Sequence, residues 1–351
     1  MNCSRNFGLV GLGKMGKNHL RILSTIRNIS KIFIYDKNKN TTDSLEKNDF
    51  VFLSGSLEEL SNKVDTVIIS SPTSTHFDLL EYFIGKVKNI FVEKPLCENS
   101  IQAEKIVELC QQKNTSLSVG FIERFNPVIE PLKRMFKEPC ISADFFRTDK
   151  VSSRIKDVDV IADLMIHDID LALYLNGDVV STNGYGKIID NQIAFACATL
   201  AHENGSYSRL MASKLTEKKM RYIDVTFEDK FVNCNLLNRS LLIHRQTTST
   251  EKTDKEYVIS ASSEQVHLLP SEPLYDQLTA LVIKKSSLSS KIANEIEAYQ
   301  AQKIGDEIRN EIFLKSATHS SLSSINILQK QLSKGFKMQK NLNKPRKISY
   351  A

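Results

Sequence analysis

Gly11, Gly13 and Gly16 stand in the spacing G-x-G-x-x-G, directly after the apolar run FGLV and at the head of a helical pattern, KNHLRILSTI. In that context the first glycine makes a tight turn and the second lets backbone approach a pyrophosphate. The third lets the helix pack on the strand, so phosphates can sit at the helix N-terminus. Asp36 follows twenty residues after Gly16, at the end of the next β-branched run, KIFIYD. A carboxylate there accepts hydrogen bonds from both ribose hydroxyls and repels a 2′-phosphate, which favours NAD over NADP; Lys37 softens the repulsion. The bland alternative is a strand-turn-helix whose glycines serve packing alone.

Two further groups could do proton chemistry. Glu93-Lys94-Pro95 ends the run NIFVEKP, and in an open α/β sheet ligands lie beyond the carboxyl ends of the strands. An ammonium at Lys94 could then bond a reacting hydroxyl, although a lysine at a strand end is usually only solvated. In DVDVIADLMIHDIDLALYL, Asp163 and His167 are four positions apart, on one helical face. An imidazole held by a carboxylate suits a general base that draws a proton from an alcohol. A helix-terminal acid beside a core histidine is the alternative. No metal is expected, because hydride transfer with NAD needs only a base.

The elements that must position these groups alternate in type. Strands at Asn6, KIFIYD, VDTVIISSP, NIFVEKP and SLSVGF are separated by helical segments, among them 76–87 and 100–113, with a polar loop before VDTVIISSP. That alternation predicts an α/β fold, a doubly wound parallel sheet over residues 1–121. Past a helix at 126–137, the strand CISADFFRTD leads to a helix over 158–175. Residues 179–260 then alternate β-rich runs with turns, and 273–315 return to helical spacing, broken by a Ser-rich loop at 286–290. Residues 122–330 are therefore expected to form an α+β domain with an open, mostly antiparallel sheet.

Composition sets limits on function. The 351 residues are enough for two domains with a sizeable core, and no run of eighteen apolar residues could cross a bilayer. Six cysteines without a C-x-x-C pair read as reduced thiols. The first sixteen residues lack a signal-peptide pattern, so a cytoplasmic location is expected. Net charge is +6, yet residues 331–351 carry six basic residues and no acid. The rest is neutral, which argues against a nucleic-acid-binding surface, and the basic end reads as a flexible tail. Neither nucleic acid nor membrane is expected as a partner.

The three motifs, in this order and spacing, resemble the glucose-fructose oxidoreductase/inositol dehydrogenase (Gfo/Idh/MocA) family. SSPTSTH at Ser70 to His76 and EPL at Glu272 to Leu274 also look like its pattern, so the resemblance spans about residues 5–315. GFIERFNPVIEPLK and SSRIKDVDVIADLMIHDIDL look like its branch that oxidises UDP-N-acetylglucosamine at the sugar C3. The resemblance implies Lys94, Asp163 and His167 as catalytic residues and NAD as cofactor. Gly11, Gly13, Lys14, Met15, Gly16, Asp36, Ser71, Pro72, His76, Glu93 and Lys94 would lie in the cofactor site. Lys94, Glu123, Arg124, Asn126, Arg154 and His167 would lie in the substrate site, Arg154 as a diphosphate contact; Arg124 could equally be a structural ion-pair partner. It implies further a UDP-sugar substrate, a 3-keto product of the kind an aminotransferase consumes in lipid A or surface polysaccharide synthesis, and a homo-oligomer, dimer or tetramer, joined through the open sheet. A dehydrogenase of a free sugar or cyclitol keeps the same chemistry, and a non-catalytic NAD-binding sensor is the reading from another class.

Overall fold

A computed structural model describes residues 5–42, 49–138, 140–150, 158–247, 260–283 and 288–342, with backbone alone for 246–247, 260–261 and 319–342. The N-terminal part runs β1 (Arg5–Val10), α1 (Lys14–Leu23), β2 (Ile29–Tyr35), α2 (Lys39–Thr42), β3 (Val51–Leu53), α3 (Leu57–Ser61), β4 (Thr66–Ile69), α4 (His76–Phe83), β5 (Asn89–Val92), α5 (Ser100–Lys113) and β6 (Ser116–Val119). After a 3-10 turn at Ile122–Phe125 come α6 (Ile129–Met135), β7 (Cys140–Thr148), a π-helical turn at Ile161–Met165 and α7 (Ile166–Asn176). Seven strands follow: β8 (Val179–Ile189), β9 (Gln192–His202), β10 (Tyr207–Ser213), β11 (Met220–Phe227), β12 (Phe231–Asn235), β13 (Ser240–Thr247) and β14 (Ser260–Gln265). The chain closes with α8 (Pro273–Val282), β15 (Ala293–Asn294) and α9 (Glu295–Leu342).

The first sheet has the order β15-β6-β5-β4-β1-β2-β3, parallel except at β15. Its central strands are buried on both faces, as their unbroken Val/Ile content requires. The short β3 and α3 occupy what the sequence suggested was a polar loop; FVFLS carries too few residues to signal a strand. The expectation that this layer ends at residue 121 is corrected. β15 pairs with β6, and Leu274, Leu278 and Leu281 of α8 join Phe7, Leu9, Ile68 and Phe91 in one core.

The second sheet has the order β14-β13-β12-β11-β7-β10-β9-β8 and is antiparallel except for the parallel pair β7–β10. Its inner face, through Phe145, Leu210 and Ile223, packs into a core shared with α7 and α9. Its outer face carries a cross-strand row of Tyr185, Cys197, Met211, Phe146 and Tyr222, partly or fully exposed, over a hollow of about 330 Å³. The backbone of α9 continues to Leu342, so residues 331–342 of the expected flexible tail are helical; 343–351 lie outside the described residues. Among the described residues no helix is long and apolar enough to cross a membrane. The five cysteines among the described residues are free, and burial pushes the Cys97 and Cys110 thiols up to about 12, which makes them poor nucleophiles.

Candidate active site

The glycine loop is built as its spacing requires. Gly11 has φ +89°, and a Cβ there would stand 2.8 Å from the amide nitrogen of Ser71. A Cβ on Gly16 would meet the carbonyl oxygen of Gly11 at 2.0 Å, so the helix packs on the strand through that glycine. Among the described residues nothing lies within 4 Å of a Cβ built on Gly13, which caps α1 without a side-chain hydrogen bond. Gly11 and Gly13 line a cavity, so the N-terminus of α1 borders space that an anion can fill. Asp36 accepts from the amides of Leu12 at 2.6 Å and Asn38 at 2.8 Å, so the carboxylate is fixed to the loop before any ligand arrives. A cavity of about 690 Å³ is lined by Gly11, Gly13, Asp36, Lys37, Ser71 and Pro72, among others. These residues fit a dinucleotide.

The other expected cofactor residues stand beside that cavity. Lys14 is exposed and Met15 half-buried in the first turn of α1. His76 is buried; Nδ1 faces the carbonyl of Pro95 at 2.9 Å and Nε2 that of Ser71 at 3.0 Å. Burial favours the neutral imidazole, which donates to one of these carbonyls only, so the ring packs between the Ser71–Pro72 wall of the cavity and the strand end carrying Lys94. Glu93 pairs with His19 of α1 at 2.7 Å.

Beyond β5 the catalytic candidates meet. Lys94 Nζ donates to the backbone oxygen of Asp163 at 2.7 Å and to its Oδ1 at 3.3 Å. Burial pushes the Lys94 ammonium below its usual range, against the pull of Asp163 and Glu93. Asp163 sits in the π-helical turn, where the amide of Ile166 reaches back to Ile161. Such a turn is wider than an α-helical one, so four positions no longer bring two side chains to the same place. The expectation that Asp163 holds His167 is therefore corrected: its Oδ1 goes to Lys94, and its Oδ2 lies 3.2 Å from Lys214. Among the described residues His167 Nδ1 is buried without a partner, and the ring stands edge-on to Phe121. Burial, with Lys94, Arg147 and Arg221 behind it, pushes the imidazole well below its usual range, so the ring is neutral near pH 7.

The expected substrate contacts from the 3-10 turn point inward instead. Arg124, 2% exposed, is bound by Asp170 through contacts of 2.6–3.1 Å and by Glu297 at 3.1 Å, beneath the ring of Tyr174. It is a structural ion-pair partner. Glu123 accepts from Arg147 at 2.8 Å and Arg221 at 2.9 Å; burial would raise its carboxyl, but the two guanidiniums outweigh that and hold it low. Asn126 donates to Glu123 and to the carbonyl of Leu236. Arg154 lies outside the described residues. Arg147, Arg221, Asp168 and Lys214 were not anticipated. Arg147 had a signal, since alternation in FFRTD puts it on the buried face with Phe145; Lys214 had none. Among the described residues no acid, histidine and cysteine cluster could hold a metal.

Residues 5–121 match a family described as oxidoreductase family, NAD-binding Rossmann fold. The UDP-N-acetylglucosamine 3-dehydrogenase of Acidithiobacillus ferrooxidans is 28% identical over 247 residues, covering 69% of this chain and 78% of that protein. The scyllo-inositol 2-dehydrogenase (NAD(+)) of Bacillus subtilis is 28% identical over 196 residues, 52% of this chain and 57% of that protein. The solved structure of the Acidithiobacillus dehydrogenase superposes with a TM-score of 0.75 at 23% identity, covering 88% of this chain and 97% of that one. The two share the fold.

Proposed function

We propose that this chain, whose residues 5–121 belong to the oxidoreductase family with the NAD-binding Rossmann fold, oxidises the C3 hydroxyl of UDP-N-acetylglucosamine to a 3-keto nucleotide sugar. The observation that carries the reading is the meeting of Lys94, at the end of β5, with Asp163, one turn ahead of a neutral, partly exposed His167. Bound NAD supplies the acceptor for the hydride leaving C3. The neutral His167 ring takes the hydroxyl proton, and its buried, unpartnered nitrogen leaves it free to turn toward a ligand. Lys94, held by two bonds to Asp163, stabilises negative charge on the oxygen as the proton departs. Gly11, Gly13, Asp36, Ser71 and Pro72 would hold the cofactor.

The likeness to the Acidithiobacillus enzyme over 78% of its length supports the nucleotide-sugar substrate. The likeness to the inositol enzyme supports a second reading, a cyclitol or free sugar with the same proton path. A 3-keto sugar is the substrate class of an aminotransferase, which would consume the product on the way to a 3-amino sugar of lipid A or a surface polysaccharide. A cytoplasmic homo-oligomer belongs to the same reading, and the apolar row on the outer face of the second sheet supports the contact. NADH absorbance after mixing protein and NAD with UDP-N-acetylglucosamine, UDP-glucose, inositol and glucose tests it. Turnover of inositol alone would reject the nucleotide-sugar reading.

A further inference from the structure

We infer that Lys214 is a positioning residue for this oxidation: it holds the Asp163 carboxylate between two ammonium groups and so fixes Lys94 beside His167. The inference rests on the proposed reaction and deepens it. Lys214 follows directly on Ser213, the end of β10, where the parallel pairing with β7 sets Ser213 against Thr148. Its backbone amide donates to the carbonyl of Ala194. Its Nζ donates to the carbonyl of Val158 at 2.7 Å and stands 3.2 Å from Asp163 Oδ2, an ion pair that acts through charge and not through a hydrogen bond. At 13% exposure the side chain is threaded between the sheet and the π-helical turn; it is no solvated surface lysine.

The arrangement has a consequence for charge. Asp163 has one carboxylate and two cations, Lys94 on Oδ1 and Lys214 on Oδ2. Lys94 therefore has only part of a counter-ion. The charged and titratable groups that face it are Asp163 and Glu93, which favour its ammonium form, Arg147, which opposes it, and His167, whose own protonation Lys94 opposes. Without Lys214, Asp163 would commit its whole charge to Lys94 or swing toward His167. The first outcome raises the proton affinity of Lys94 and the second that of His167, and in both the carboxylate leaves its fixed place between the two ammonium groups; the first is the one expected here, because Asp163 already makes two contacts with Lys94.

The test compares Lys214→Met, Lys214→Arg, Asp163→Asn and the double variant Asp163→Asn/Lys214→Met, all in the full chain, with thermal unfolding as the check on folding. Should Lys214→Met not fold, Lys214→Gln takes its place. Lys214→Met is expected to lower kcat about tenfold or more while the sugar KM and NAD binding stay within about twofold. The rising limb of its kcat/KM profile moves to higher pH, because removing a cation strengthens proton binding at its neighbours. Lys214→Arg restores most of the rate, and the double variant is no slower than Asp163→Asn. A readout independent of turnover is the rate at which Lys94 is reductively methylated across pH, followed by peptide mass spectrometry. Lys214→Met should shift that profile to higher pH and Lys214→Arg should not. An unchanged Lys94 profile in Lys214→Met, or additive losses in the double variant, overturns the inference. Absent turnover of every sugar by the wild type overturns the proposed reaction instead, and the methylation profile still decides the role of Lys214.

Discussion

The glycine cradle between β1 and α1 and the charge cluster beneath His167 are both sites for a ligand, yet they are made of different material. In the cradle the working groups are backbone amides and empty space, and the parts lie within six residues of one another, with Asp36 as the one distant carboxylate. In the cluster the working groups are long side chains brought together from four places in the chain. Arg147 and Arg221 face each other directly across the β7–β11 ladder, a like-charge pairing that is unfavourable by itself. Glu123, from the turn after β6, lies between them and binds both, while Asp168 takes the other side of Arg147. A site of backbone is written in local spacing; a site of paired charges is assembled by sheet register.

The contrast predicts where damage will show. The largest effect should follow neutralising a buried partner in the cluster. Asp168→Asn leaves Arg147, 1% exposed, short of a counter-charge and should lower stability by about 3–5 kcal/mol in denaturant titration. Arg124→Ala should behave likewise through Asp170, lowering stability without a selective rise in the sugar KM; a selective rise would return Arg124 to the substrate site. Next, His167→Ala should cut kcat by about 10²–10⁴ with the fold and NAD binding intact. Because the ring is held neutral well below its usual pH range, wild-type kcat/KM should be flat through pH 7 and fall only in acid below about 6.5, as the base takes up a proton.

Smaller effects should come from the cradle, and they split by position. Gly16→Ala forces a Cβ onto the Gly11 carbonyl and should cost about 1–3 kcal/mol of stability as well as NAD affinity. Gly13→Ala adds its methyl group to open space, so unfolding should be unchanged while NAD titration shows weaker binding. Equal stability losses at both glycines would mean that the cradle, too, is held together by packing alone. The smallest is Asp36→Ala, which should erode the preference for NAD over NADP by about tenfold; a wild-type preference for NADP would break the reading of that carboxylate.

The same contrast explains what the sequence could tell. The strand-turn-helix around Gly11, the alternation behind the first sheet and the place of Lys94 at a strand end were legible, because each depends on short-range periodicity or on the rule that ligands gather at strand ends. The partner of Asp163 was not. A four-residue spacing implies one face of an α-helix, and nothing in IADLM announces the wider turn that aims the carboxylate at Lys94 and Lys214. Glu123 and Arg124 were placed in the substrate site by the resemblance of their segment alone, with a structural ion pair left open for Arg124. Their partners Arg147, Arg221 and Asp170 come from strands and a helix 24 to 98 residues away. Sequence distance hides such pairs, as it hides the return of residues 273–294 to the first sheet.

That return has a consequence in time. A chain emerges from the ribosome in order, at roughly 5–20 residues per second, and the partner of β6 at β15 is made roughly 170 residues later. For about 9–35 s the first sheet stands with an open edge at β6 and without the leucines of α8 on one face. A nascent protein in that state offers unpaired backbone and apolar surface to any neighbour. The interval in which this chain most needs a chaperone should therefore close when Ala293 leaves the exit tunnel, well after the glycine cradle has formed.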